Sequence, residues 1–140
     1  MIEFDTFYEI PTKIDFENKE GKPLLVFVKN TDYQDTQSQK TLQAIIKAIG
    51  LDMEKDVIVH IIQEDKRSIL SDKVQGIKNI ICFGINPKDL GIHLNAKLYK
   101  IFMFETFNLS IAHKLSDIAN DQKNKQILWK VLQTQFSIKS

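Results

Sequence analysis

The sequence predicts an α/β domain with a mostly parallel sheet, and three observations carry that prediction. An unbroken apolar run at 24–28 suits a strand buried on both faces, and the largely apolar runs at 57–62 and 79–84 read as a second buried strand and a third strand. Stretches with helical spacing separate them, and strand alternating with helix calls for parallel strands joined by right-handed crossovers. The chain has 140 residues, 43% of them hydrophobic and 26% charged, which suits one core and is short for two. The expectation is a single domain, 1–140, of three-layer α/β/α architecture. Its sheet is expected to hold four mostly parallel strands with an N-terminal edge strand added.

The elements follow in chain order. Over 8–16 the chain alternates, with Tyr8, Ile10, Thr12, Ile14 and Phe16 on one face and Glu9, Pro11, Lys13 and Asp15 on the other. Such alternation marks a half-buried strand, and Pro11, which has no N–H to give a neighbour, makes it an edge strand. Residues 1–23 therefore read as an arm with an edge strand, and 24–136 as the core. After the first buried strand, Leu42, Ile45, Ile46 and Ile49 fall at i, i+3, i+4 and i+7, and Gly50 ends the helix. A short helix is expected over 68–75, closed by Gly76, then a Pro and Gly turn over 84–91 and a fourth strand over 100–104. Two helices follow, 110–120 with Ser110 as N-cap and 123–136 with Ile127, Leu128, Val131, Leu132 and Phe136 as its apolar stripe.

Composition excludes several functions. No apolar run approaches the length of a membrane span, and the N-terminus lacks the basic and apolar parts of a signal peptide, so a cytoplasmic protein is expected. Cys82 is the sole cysteine, sits in an apolar strand and has no partner for an internal disulfide. His60, His93 and His113 are scattered, and no Cys or His pair has metal spacing, so no metal is expected. No Gly-rich phosphate loop follows the first buried strand, so no nucleotide cofactor is expected either. Net charge is +1, and of 19 basic residues only Arg67 is arginine, which removes the forked guanidinium chemistry that clamps phosphates and bases. Strong direct binding of nucleic acid is not expected.

Candidate sites lie where strands hand over to turns, because open α/β sheets bind ligands beyond the carboxyl ends of their strands. Asn30-Thr31-Asp32-Tyr33 leaves the first buried strand with a carboxylate able to orient a water, although the same Asp32 suits a helix start or an Asx-turn. The segment Glu105-Thr106-Phe107-Asn108-Leu109-Ser110 leaves the fourth strand and is the first place expected for function. Ser110 lacks the glycines of a nucleophile elbow. His113 is the histidine nearest that edge, either as a site residue or as a solvated helix position. At the N-terminus, Phe4, Phe7 and Tyr8 alternate with Glu3, Asp5 and Glu9. These are anchors for a partner's groove or for the protein's own sheet.

Leu115-Ser116-Asp117-Ile118, followed after the same spacing by Leu128-Trp129, resembles the C-terminal signature of the DNA polymerase III psi subunit family. Leu25-Val26-Phe27-Val28-Lys29-Asn30, the helix over 42–49 and Asp56-Val57 are similar to that family's opening unit. The resemblance implies a fold akin to uracil-DNA glycosylase. It also implies a non-catalytic subunit that contacts the clamp loader through its N-terminal segment and a chi-like subunit through its folded body. Against the glycosylases themselves, Asn30-Thr31-Asp32-Tyr33 stands at the water-activating turn, and 106–110 at the turn whose histidine stabilises the departing base. Glu105 or Thr106 stands where that histidine would be, and a carboxylate repels the uracil anion. The enzyme alternative is a base-excision hydrolase using Asp32, with Tyr33 and Asn108 lining the base pocket. A third reading is a homodimeric accessory domain paired through the 8–16 edge strand.

Overall fold

The computed structural model describes residues 12–14, 22–63, 68–70, 77–86 and 97–138. Their strands are β1 (Thr12–Ile14), β2 (Leu24–Lys29), β3 (Val57–Ile62), β4 (Ser68–Leu70), β5 (Asn79–Phe83), β6 (Ile101–Met103) and β7 (Asn108–Ala112). Their helices are α1 (Asn30–Tyr33), α2 (Thr36–Ala48), α3 (Leu115–Asn120) and α4 (Gln122–Gln135). Five strands form one sheet in the order β3-β2-β5-β7-β6, parallel except that β6 runs antiparallel to β7. The fold is therefore α/β with a mostly parallel sheet. Among the described residues no helix is long and apolar enough to cross a membrane.

β2 lies inside this sheet, between β3 and β5, and every one of its first five side chains, Leu24 to Val28, is fully buried. Alternation sends Leu24, Val26 and Val28 to one face and Leu25 and Phe27 to the other. Leu42 and Ile46 of α2, Leu115 and Ile118 of α3, and Leu128 and Leu132 of α4 all join the first face. The second face gathers Ile80, Cys82, Leu109 and Ile111 around Phe27. Cys82 is completely enclosed there, and burial pushes its thiol up to about 12, so it stays protonated and unreactive.

Helix ends follow local chemistry. Asp35 caps α2 by accepting from the Gln37 amide at 3.2 Å, and Asp121 caps α4 through the amides of Lys123 and Asn124. At the far end of α2, Gly50 adopts φ +82°, while the Gly50 and Leu51 amides return to the Lys47 and Ile46 carbonyls. That is a Schellman ending, and it explains why Gly stands there. α4 ends in the same bond pattern, but with Ser137 at φ +54° in the left-handed position.

Several expectations need correction. Of the run 8–16, residues 12–14 form β1, and β1 pairs in parallel with β4 in a separate two-stranded sheet; it is not an edge of the central sheet. Residues 68–70, expected as helix, are strand β4; three residues carry too little periodicity to separate the two. The sheet has five strands because 108–112, expected to hold a turn and a helix start, is β7. The fourth expected strand, β6, is antiparallel because a hairpin reverses the chain at Phe104 to Phe107, where the Phe104 amide donates to the Phe107 carbonyl at 2.9 Å. Ile127 is exposed, since the buried side of α4 is Leu128, Leu132 and Gln135.

Gly84, just past β5, has φ +69°, and a β-carbon there would stand 2.7 Å from Lys114 Cβ and 3.1 Å from Lys114 Cα. Its amide is bonded to the Ala112 carbonyl, so the β5 exit and the β7 exit are pressed together. Gly84→Ala combines left-handed strain with a backbone collision and is expected to cost about 2–4 kcal/mol of unfolding free energy. Urea denaturation measures this; a change below about 0.5 kcal/mol would mean the two exits can separate freely.

Candidate functional site

Parallel register places the ends of β2, β3, β5 and β7 side by side, with Lys29 opposite Ile62, Val28 opposite Phe83, and Phe83 opposite Ala112. At this carboxyl edge the chain leaves β2 into α1 and α2, which pack on the helical face. It leaves β5 through Gly84 to Ile85, which is buried in the opposite cluster. The crevice between two such divergent exits is the topological switch point where open α/β sheets bind ligands. A cavity of about 360 Å³ opens there between Lys29, Thr31, Asp32, Asp35, Gly84, Lys114 and Ser116. A second, of about 320 Å³, adjoins it through Gly84 and Lys114 and reaches Asn86, Lys97, His113 and Asp117.

Asp32 lies at the wall of this crevice, 7% exposed, with both carboxylate oxygens engaged. Oδ2 accepts from the Leu115 amide at 2.7 Å, and Oδ1 accepts from the Ser116 amide at 3.1 Å and the Ser38 hydroxyl at 3.3 Å. Leu115 and Ser116 begin α3, whose own N-cap, Lys114, offers no side-chain acceptor. The carboxylate from the β2 exit is therefore the cap of a helix 83 residues away. Asp32 does act at a helix start, as one sequence reading had it, but the helix is not its own.

Tyr33 turns its ring into the helical core, and its carbonyl accepts from Gln39 Nε2 at 2.7 Å. Asn108 begins β7 opposite Asn79, which in turn lies opposite Leu24 at the amino end of β2. Five residues of strand therefore separate its level from Lys29, about 17 Å at strand rise. The Asn108 carbonyl accepts there from Gln135 Nε2, which also donates to Asn79 Oδ1. Asp32, Tyr33 and Asn108 thus do not converge. The segment 105–107 shares the amino edge with Asn108, contrary to the expectation that placed it at the carboxyl edge. Ser110 lies inside β7, buried, and its hydroxyl has no partner among the described residues, so nothing there activates it. Phe4, Phe7, Tyr8 and His93 lie outside the described residues.

The sequence undervalued one pair. His113 stands on the connection from β7 to α3, not on a helix, and its Nδ1 lies 2.7 Å from the Tyr99 hydroxyl. That hydroxyl also accepts from the His113 amide at 3.4 Å. Tyr99 holds φ +59°, a conformation uncommon for a bulky residue, and its amide donates to the Ile111 carbonyl. Burial pushes its hydroxyl up, so it keeps the proton that it can donate to Nδ1. No sequence pattern announces this contact, because it joins a turn to a strand end across a hairpin. His60, in contrast, is a half-buried strand residue set edge-on to Phe27, and burial pushes its imidazole down toward the neutral form.

Among the described residues no three of His, Cys, Asp and Glu gather as a metal site would require. The crevice offers cations, hydroxyls and an imidazole, while its deepest carboxylate is consumed as a cap. A third concavity, about 420 Å³, runs between α2 and α4. Gln37, Lys40, Thr41, Ala44, Ile45 and Ala48 form one side, Lys125, Leu128, Trp129 and Leu132 the other, and Ile118 of α3 contributes between them. Trp129 is 36% exposed there.

The chain matches no family model, no curated protein and no solved structure.

Asp32→Ala tests the cap directly. Losing the acceptor leaves two amides and the buried Ser38 hydroxyl without it, and the expected cost is about 2–4 kcal/mol in urea unfolding. A carboxylate held for catalysis alone predicts the opposite, an unchanged or raised midpoint.

Proposed function

We propose that this protein is a non-catalytic interaction subunit of the DNA replication machinery, psi-like, on a three-layer α/β/α fold akin to that of uracil-DNA glycosylase. The observation that carries the reading is the use of Asp32. Asp32, the carboxylate that the hydrolase reading uses to orient water, is hydrogen-bonded to a helix N-terminus, and Asn108 stands at the other edge of the sheet. In this protein the turn after β2 works as a structural joint.

The resemblance fits the same division of labour. Leu115, Ile118 and Leu128 of the shared signature are core residues holding α3 and α4 on the sheet, whereas Trp129 remains accessible at an apolar groove. A binding subunit needs such an arrangement: a fixed scaffold, with an aromatic anchor on a rigid helix. In this reading the folded body engages a chi-like partner, and the N-terminal residues Phe4, Phe7 and Tyr8 engage the clamp loader.

Affinity purification of the tagged protein from its native cells, with mass-spectrometric identification, tests the proposal. Clamp-loader or single-strand-binding components are expected above an unrelated control, and deleting residues 1–8 is expected to remove the clamp loader selectively. Recovery of none of them, together with base release from uracil-containing DNA that Asp32→Asn abolishes, would replace this reading with the hydrolase one.

A further inference from the structure

The groove between α2 and α4 is unusual in its charge. The two helices together carry Lys40, Lys47, Lys123, Lys125 and Lys130 and not one Asp or Glu, although the chain as a whole has 18 acidic residues against 19 basic. Their capping carboxylates, Asp35 and Asp121, are bound to backbone amides. Lys40 and Lys125 line the groove itself, and among the described residues no acidic side chain pairs with either. A solvated helix surface ordinarily mixes both signs; here the cations are left uncompensated around an apolar floor.

Shape narrows the occupant. On α2 the lining positions 37, 40, 41, 44, 45 and 48 follow one helical stripe, about 17 Å long at helical rise. Ala44 and Ala48 keep that wall low, while Leu128 and Trp129 raise the other. A low wall of alanines and a high wall of Leu128 and Trp129, about three turns long, accept the apolar ridge of a helix packed between them. Single-stranded nucleic acid binds differently, through several aromatic platforms along a basic track, and this groove has one aromatic residue.

We propose that the α2–α4 groove binds an acidic amphipathic helix of a partner protein. Its apolar stripe packs on Ala44, Ala48 and Trp129, and its flanking carboxylates meet Lys40 and Lys125. This rests on the interaction-subunit reading and gives that reading a partner chemistry.

A random peptide library displayed on phage and selected on the immobilised full chain tests it. Enriched peptides are resynthesised and titrated against the protein, following the emission of Trp129, the only tryptophan. The expected peptides carry apolar residues at i, i+3 or i+4, and i+7 with Asp or Glu beside them, and they shift the emission to the blue. Lys40→Glu combined with Lys125→Glu, at exposed positions and with unchanged circular dichroism, is expected to weaken binding about tenfold or more. Basic or charge-free winners, no enrichment, or binding indifferent to the double variant would overturn the proposal. So would a short oligothymidylate that shifts Trp129 emission with the same lysine dependence, since the groove would then be a nucleic-acid surface. Failure of the affinity purification alone removes the replication assignment and leaves the groove's specificity standing; failure of the peptide selection alone does the reverse.

Discussion

Asp32 joins the two halves of this fold. It follows β2, a fully buried interior strand of the sheet, and ends on the first amides of α3, which otherwise begin a helix with no acceptor of their own. Charge-assisted bonds from a carboxylate to backbone amides are among the stronger ones available, about 1.5–3 kcal/mol each, and these are sheltered from water. Through α3 the joint reaches further. α2 and α4 both pack against α3, so the carboxylate that fixes α3 also fixes the spacing of the groove between them.

The β5 exit supplies the complementary constraint. Gly84 must come within contact of Lys114, the residue just before α3, and its missing side chain makes that approach possible. Asp32 pulls on the helix from the β2 side, while Gly84 admits the connecting loop from the β5 side. The crevice at the carboxyl edge is what remains between these two contacts. Its chemistry follows from its construction: the buried carboxylate of Asp32 is spent on structure, and Lys29, Lys97, Lys114, Asp35, Asp117 and the Tyr99–His113 pair remain around the opening.

Much of the scaffold was legible in the sequence because burial and pattern agree there. β2 is a continuous apolar run and β5 nearly one, and the Leu42, Ile46, Ile49 stripe with Gly50 behind it has one sensible reading; β3, expected as a buried strand, is instead an edge strand whose middle residues are only partly covered. β7 was missed for a physical reason. Asn108-Leu109-Ser110-Ile111-Ala112 puts small residues, Ser110 and Ala112, on the helical face, so the strand looked like a capped turn. The alternation of Leu109 and Ile111 was the signal that could have found it. Missing β7 moved the 105–110 segment to the wrong edge, because a hairpin sends the chain back across the sheet. The cap was beyond reach of any local pattern: its donor and acceptor are separated by 83 residues, and Asp32 looks the same in sequence whether it starts its own helix or another.

Amide hydrogen exchange at Leu115 and Ser116 in the native protein tests the central claim most directly. First-turn amides of a helix have no intrahelical acceptor and normally exchange early. Bonded to Asp32, both are predicted to be protected to the level of the β2 and β5 core amides, and to lose that protection in Asp32→Ala while the core amides of the same variant remain slow. Exchange in the native protein as fast as at the exposed first turn of α2 would contradict the account, because Asp32 would then be free of the helix and available for other chemistry.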